Sequence, residues 1–191
     1  MTTMKFSPLI KQEIPEDLED NPAWSAIGGL GYDAINQRYL VCSYFQACES
    51  LCDAVLKREQ FHDEVIFPIL YCLRHGIELM LKWLVPLDKK ILEKRFGSTS
   101  ENDKGHDLEK YIKAFEEDYK VDESLVNWLK EISELDPKST LFRYVDAGTN
   151  YQREAIFLKK SEVFVNLAEL KLQTAYLHER MLNIERKQYD E

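Results

Sequence analysis

Glycine and proline are scarce in this sequence, with only 7 and 6 among 191 residues. Because these two residues separate the short strands of β-rich proteins, their scarcity leaves long uninterrupted stretches and favours helices. Hydrophobic residues make up 45% of the chain and charged residues 31%, which is typical of a folded globular protein rather than a disordered one. A chain of this length is expected to form one domain with a sizeable core.

The signatures of several enzyme classes are also missing. There is no glycine-rich phosphate loop, no His-Glu-x-x-His zinc motif and no Gly-x-Ser-x-Gly nucleophile turn. The four cysteines (Cys42, Cys48, Cys52 and Cys72) have no His or Cys cluster that would complete a zinc site. We therefore expect buried thiols in a reducing compartment, with no metal and no cofactor. The net charge of −9 argues against a surface that binds nucleic acid non-specifically, because phosphates would be repelled.

The amino terminus has no basic segment followed by an apolar core, so the sequence does not predict a signal peptide. The longest apolar run, residues 64–85, has four ionisable side chains in its middle: Arg74, His75, Glu78 and Lys82. A membrane span would disfavour these side chains. We therefore expect a cytoplasmic protein that does not associate with membranes.

Residues 64–85 have the period of a helix that is surrounded by protein on most sides. At about 100° per residue, the polar side chains fall within about one third of the circumference, and the rest is mostly apolar. We call these polar side chains the polar seam, which consists of Glu64, Tyr71, Arg74, His75, Glu78 and Lys82.

Two interpretations of the polar seam are open. Arg74 with Glu78 and Glu78 with Lys82 have the i,i+4 spacing of ion pairs, which predicts a network that satisfies itself and fixes helix packing. Alternatively, Arg74 and His75 face a cleft and bind a phosphate or move a proton, with Glu78 orienting one of them.

Helices are predicted at five places along the chain: about 32–58, 64–85, from an N-cap at Asp107, about 123–135, and from a capping box that begins at Asn166. Residues 1–22 are acidic and contain three prolines, so we expect an extended arm there and a single domain over residues 23–191. Segments 141–145 and 154–158 flank a turn-rich sequence and predict a short β-hairpin. The predicted fold is all-α, an antiparallel bundle of about five helices with this hairpin inserted before the last one.

Three further histidines occur in the sequence. His106 directly precedes the predicted cap Asp107, where it either helps to bind an anion at the helix end or packs at the entry to the helix. His62 and His178 lie among charged residues, and we expect both to be solvated.

The predicted hairpin carries polar residues as well. Strand alternation places Arg143 on one face and Tyr144 on the other. Arg143 either reaches a phosphate or a carboxylate of the polar seam, or it forms a surface pair with Asp146 or Asp136.

Two segments, YCLRHGIELMLKWL (71–84) and GHDLEKYI (105–112), together resemble HEPN-type domains of prokaryotic defence and toxin–antitoxin systems. In such domains a His/Arg-x-x-x-Glu-x-x-x-Lys helix is often followed by a helix that opens with His-Asp-Leu, and FRYVD (142–146) is similar to a hairpin of uncharacterised relatives. The resemblance implies an antiparallel bundle that forms a homodimer, and often metal-independent cleavage of RNA. That chemistry requires an Arg and a His near the scissile phosphate. The candidate catalytic residues of this chain are Arg74, His75, His106 and Arg143, and the candidate binding or supporting residues are Glu78, Lys82, Tyr144 and Asp146.

The ribonucleases of this family use an Arg followed after four to six residues by a His, and this chain does not contain that motif. Arg58 and His62 are separated by one residue too few. Two functions therefore follow from the sequence. The first is a HEPN-like domain that acts on or binds RNA or a nucleotide. The second is a non-catalytic module for dimerisation or for binding a partner protein, in which the Arg, His, Glu and Lys residues are structural.

Overall fold

Five α-helices make up most of the chain that the computed structural model describes, namely residues 37–85, 108–137, 139, 142 and 164–189. The helices are α1 (Gln37–Leu56), α2 (His62–Leu84), α3 (Glu109–Tyr119), α4 (Glu123–Leu135) and α5 (Leu167–Tyr189). No β-strand occurs among these described residues. The prediction of an all-helical fold is therefore confirmed for this part of the chain.

Several predictions fall outside the described residues. They concern the arm at 1–22 with its boundary to the domain at 23–191, the N-cap Asp107, and the hairpin apart from one residue. That residue is Phe142, which is buried and packs against Phe67 of α2 with ring centroids 6.3 Å apart. All of the described helices belong to one compact unit.

Helix α2 is the central element, because it packs against each of the other four described helices. Its apolar side chains Ile69, Leu73, Ile77 and Met80 are fully buried. In α1 the side chains Val41, Phe45, Cys48 and Cys52 are fully buried, and Val55 at the end of the same stripe is half-buried. The buried side chains of both helices recur at spacings of three and four residues, which is the period of a helix with one apolar face.

Helices α1 and α2 approach each other closely at Gly76. A Cβ atom at this position would lie 2.7 Å from the Phe45 ring and 3.3 Å from the Cβ of Tyr44. A distance of 2.7 Å between a Cβ atom and a ring carbon is essentially never found in proteins. Gly76 is therefore required by packing, since a side chain here would push α1 away from α2.

Polar side chains close the amino ends of α4 and α5. The Asp122 carboxylate accepts a hydrogen bond from the backbone N–H of Leu125 at 3.0 Å. The Asn166 side chain accepts from the N–H groups of Ala168 and Glu169, at 3.1 and 3.2 Å. The predicted cap at Asn166 is thus confirmed, and it satisfies two of the amide donors that a helix start leaves unpaired.

At its carboxyl end α2 is tied to α3 by a tyrosine. The Tyr119 hydroxyl donates a hydrogen bond of 2.6 Å to the carbonyl of Leu84, the last residue of α2. This bond satisfies one of the carbonyl groups that every helix leaves unpaired at its end. Lys120, directly after α3, adopts the left-handed conformation with φ of 48°, which ends that helix.

Replacing Gly76 by Ala tests the close approach of α1 and α2. In a helix interior this change normally stabilises a protein by about 0.5–1 kcal/mol. Here we expect a loss of about 1–3 kcal/mol in the free energy of unfolding, because the new methyl group overpacks against Phe45. Urea unfolding measures the difference, and a stabilised variant would show that the helices have room to separate.

Replacing Asn166 by Ala tests the start of α5. We expect a loss of about 1 kcal/mol in the free energy of unfolding, because two amide donors lose their acceptor. Asn166→Asp is the matched control, since its carboxylate accepts the same bonds and suits a helix amino end. If the alanine and aspartate variants have equal stability in urea, the cap contributes nothing.

Candidate functional site

The polar seam of α2 passes from solvent into the core. Glu64 is exposed near the start of the helix, and His75 is half-buried in its middle. Arg74 and Glu78 are buried, with 0% and 2% of their surface exposed. Lys82, one turn further on, is half-buried. The seam therefore contains an arginine and a glutamate that have almost no contact with water.

Arg74 connects α2 to the end of α4. Its Nε donates a 2.8 Å hydrogen bond to the backbone carbonyl of Asp136, the residue that follows α4. The same carbonyl accepts a 3.2 Å hydrogen bond from the backbone N–H of Ser139. A carbonyl at a helix carboxyl end carries partial negative charge and lacks a partner within the helix. The guanidinium therefore supplies both a hydrogen bond and a favourable charge at the point where α4 ends.

Glu78 is held between two cations. Its Oε2 accepts a 2.7 Å hydrogen bond from Arg74 Nη1, and its Oε1 accepts a 2.7 Å hydrogen bond from Lys82 Nζ. A buried carboxylate is tolerated only when it is paired and its oxygens are hydrogen-bonded, and both conditions are met here. The Lys82 side chain is 30% exposed and carries one end of the network to water. This geometry corresponds to the first interpretation of the seam, a network that satisfies itself.

His75 lies on a different side of α2 from Arg74. Its ring stacks on Tyr71, with centroids 5.5 Å apart and an interplanar angle of 8°, and meets the Tyr44 ring edge-on at 4.6 Å. Burial, and then the neighbouring Tyr71, raise the pKa of Tyr44 above its ordinary value. His75 thus belongs to an aromatic cluster between α1 and α2, whereas the contacts of Arg74 run along α2 and to the end of α4.

The other residues predicted for the site, His106, Arg143, Tyr144 and Asp146, lie outside the described residues. Their roles remain predictions. Of the predicted site, the described residues bring together Arg74, Glu78 and Lys82 and place His75 beside them on the neighbouring face.

The sequence did not reveal the surroundings of His178. It was expected to be solvated, but only 17% of its side chain is exposed, so that prediction is wrong. Its Nε2 lies 3.2 Å from Cys42 Sγ, and its ring packs against Phe45 with centroids 5.6 Å apart. Its spacing relative to the apolar Leu177 and Met181 hinted at burial, whereas the charged residues Glu179 and Arg180 that follow it suggested a solvated position.

A groove of about 680 Å³ lies between α4 and α5 and contains none of the polar seam. Trp128, Leu172 and Tyr176 form its apolar part, and Asp122 lies at its edge. Arg180 donates a 3.2 Å hydrogen bond to the Tyr176 hydroxyl and lies 3.8 Å from the Asp122 carboxylate. The hydrogen bonds from Ser124 and from the Leu125 amide, together with Arg180, lower the pKa of Asp122.

Neither a metal cluster nor a membrane helix is found in the described part of the chain. No three or more His, Cys, Asp or Glu side chains there are grouped so as to hold a metal ion. None of the described helices is long and apolar enough to cross a membrane.

No family model matches this chain, and no curated protein or solved structure shows a significant match to it.

Replacing Arg74 by Met tests whether the buried network is structural. The variant removes one of the two described cations that hold the buried Glu78, and it removes a donor from the Asp136 carbonyl. We expect a loss of about 3–5 kcal/mol in the free energy of unfolding, as is found when one partner of a buried ion pair is removed.

Lys82→Met is the matched control for the arginine variant. It removes the other cation of Glu78, but at a side chain that reaches water, and we expect a loss of about 1 kcal/mol or less. Guanidinium chloride unfolding compares the two variants. If both variants lose equally little free energy of unfolding, Arg74 has no structural role.

Proposed function

We propose that this chain is a non-catalytic HEPN-like module of a prokaryotic defence or toxin–antitoxin system, which forms a homodimer and binds a partner protein. The observation that carries the proposal is the state of Arg74. Its side chain is completely buried, and it donates hydrogen bonds to Glu78 and to the Asp136 carbonyl. An arginine engaged in this way is part of the scaffold of the bundle.

A phosphate would have to compete with these internal partners. Arg74 has no exposed surface, so a phosphate could reach the guanidinium only if the packing around it and its bond to Glu78 were disrupted. Breaking a buried ion pair costs several kcal/mol. The net charge of −9 adds a long-range repulsion for RNA. The cost of disrupting the buried pair and the repulsion of RNA both favour the non-catalytic interpretation.

The bundle proposed here is antiparallel, as in HEPN-type domains. The contacts between α1 and α5 support this arrangement, because residue numbers rise along α1 as they fall along α5: Cys42 with His178, Cys48 with Thr174, and Asp53 with Lys171. The predicted β-hairpin before α5 is part of the same proposal.

Exposed apolar side chains support the binding role. Several large ones lie on the described surface, with exposed fractions of 64% at Tyr39, 74% at Phe61, 70% at Leu172 and 88% at Phe164. Tyrosine and phenylalanine are enriched where proteins associate, because they bury much area at little entropic cost. The proposed setting is the cytoplasm, where the thiols of all four cysteines, none of which is in a disulfide, would be kept reduced.

Binding or cleavage of RNA is the second candidate, and one observation favours it. His75 is half-buried and stacked on Tyr71, so its aromatic cluster combines a base-stacking surface with an ionisable ring. RNA-binding proteins often stack unpaired bases on such side chains. In this alternative His75 acts with His106 and Arg143 in metal-independent proton transfer and charge stabilisation at a phosphate.

An RNA-cleavage assay separates the two candidates. Purified full-length protein is incubated with tRNA and mRNA in the presence of EDTA, beside the His75→Ala variant. Because the first candidate has no catalytic group, we expect both proteins to leave the RNA intact on denaturing gels.

His62→Ala is the matched control, since His62 is an exposed histidine at the start of the same helix. Cleavage by the wild type and by His62→Ala, but not by an equally stable His75→Ala protein, would overturn the non-catalytic proposal in favour of a ribonuclease.

A further inference from the structure

Three reactive side chains meet where α1 packs against α5. Cys42 and Glu49 lie on α1, seven residues or about two turns apart, and therefore on one face of the helix. His178 of α5 lies between them. Its Nε2 is 3.2 Å from Cys42 Sγ, and its Nδ1 is 3.9 Å from Glu49 Oε1. A thiol, an imidazole and a carboxylate therefore follow one another in that order.

The order of these groups favours one tautomer of the histidine. The Glu49 carboxylate favours a proton on the nearer ring nitrogen, Nδ1, which leaves the lone pair of Nε2 directed toward Cys42. The Cys42 S–H group then donates a hydrogen bond to Nε2. If the proton moves across, a thiolate forms beside an imidazolium that is itself stabilised by the carboxylate. This succession of nucleophile, base and orienting group is the general arrangement that activates a cysteine.

We propose that Cys42 is a reactive thiol, with His178 as its base and Glu49 as a positioning residue, and that it reacts with hydrogen peroxide. The thiolate sulfur attacks one peroxide oxygen, so that an S–O bond forms as the O–O bond breaks. The leaving hydroxide takes the proton held by His178 and departs as water. Sulfur is oxidised to a sulfenic acid and the peroxide is reduced.

The site fits this oxidant better than a larger one. Cys42 is half-buried, and the side chains of His178 and Glu49 are 17% and 25% exposed, so the site favours an oxidant of a few atoms. The reaction needs only a thiolate and a proton for the leaving oxygen. The three residues supply both.

The other cysteines lack this environment and serve as comparisons within the same molecule. Cys48 and Cys52 are fully buried. Cys72 is half-buried like Cys42, and burial raises the pKa of its thiol, which keeps it protonated. Since thiolates and not thiols are the nucleophiles, Cys72 should react slowly at neutral pH although it is similarly accessible.

Trapping of the sulfenic acid tests the proposal. Reduced full-length protein is treated with hydrogen peroxide at neutral pH in the presence of dimedone, and labelling of each cysteine is followed by mass spectrometry. We expect Cys42 to be labelled at least roughly tenfold faster than Cys72, because a larger fraction of its thiol is ionised. Equal rates at Cys42 and Cys72 in the wild type would overturn the proposal, whatever the variants do.

Two variants separate activation from mere packing. His178→Gln removes the base, and we expect it to slow Cys42 labelling roughly to the Cys72 rate. Glu49→Gln keeps the shape but removes the charge, and we expect a smaller decrease, to between these two rates. A loss of packing alone would have the opposite effect, since it would expose Cys42 and speed its labelling. Unchanged or faster labelling in His178→Gln would therefore overturn the role of the histidine.

Discussion

A guanidinium shut off from water has to be neutralised and hydrogen-bonded by the protein itself, and Arg74 meets this requirement through two partners. One is the Glu78 carboxylate, a turn further along the same helix, and the other is the Asp136 carbonyl at the end of α4. The first contact fixes the polar side of α2, and the second fixes the position of α4 relative to it. Because an unpaired charge in the core would cost several kcal/mol, alternative rotations of α2 are strongly disfavoured.

The remaining packing follows from this orientation of α2. With Arg74 bonded to the end of α4, the apolar side chains of α2 are left to form the core with the other helices. Gly76 faces α1 and allows the close approach that buries Phe45. At the carboxyl end, the Tyr119 hydroxyl holds the last carbonyl of α2. Polar groups thus decide how the helices are arranged, and apolar burial provides most of the stability.

Features of short range could be predicted from the sequence, whereas contacts between distant residues could not. The bounds of α4, the cap at Asn166 and the pairs within the polar seam all depend on spacings of four residues or fewer. By contrast, Arg74 and Asp136 are 62 residues apart and Cys42 and His178 are 136 apart, and no pattern in a single sequence links them. His178 was expected to be solvated because charged residues follow it. It is largely buried instead, because its position on α5 places its ring against Phe45 and Cys42 of α1.

Arg74 and Glu78 act as one structural unit, and the free energy of unfolding of the double variant Arg74→Met/Glu78→Leu measures this coupling. The double variant removes both members of the buried pair together, and Lys82 can turn to water. We expect the double variant to be within about 1 kcal/mol of the wild type and more stable than Arg74→Met alone, as for other buried pairs replaced by apolar residues. If the stability losses of the two single variants simply add in the double variant, Arg74 and Glu78 do not act as a unit.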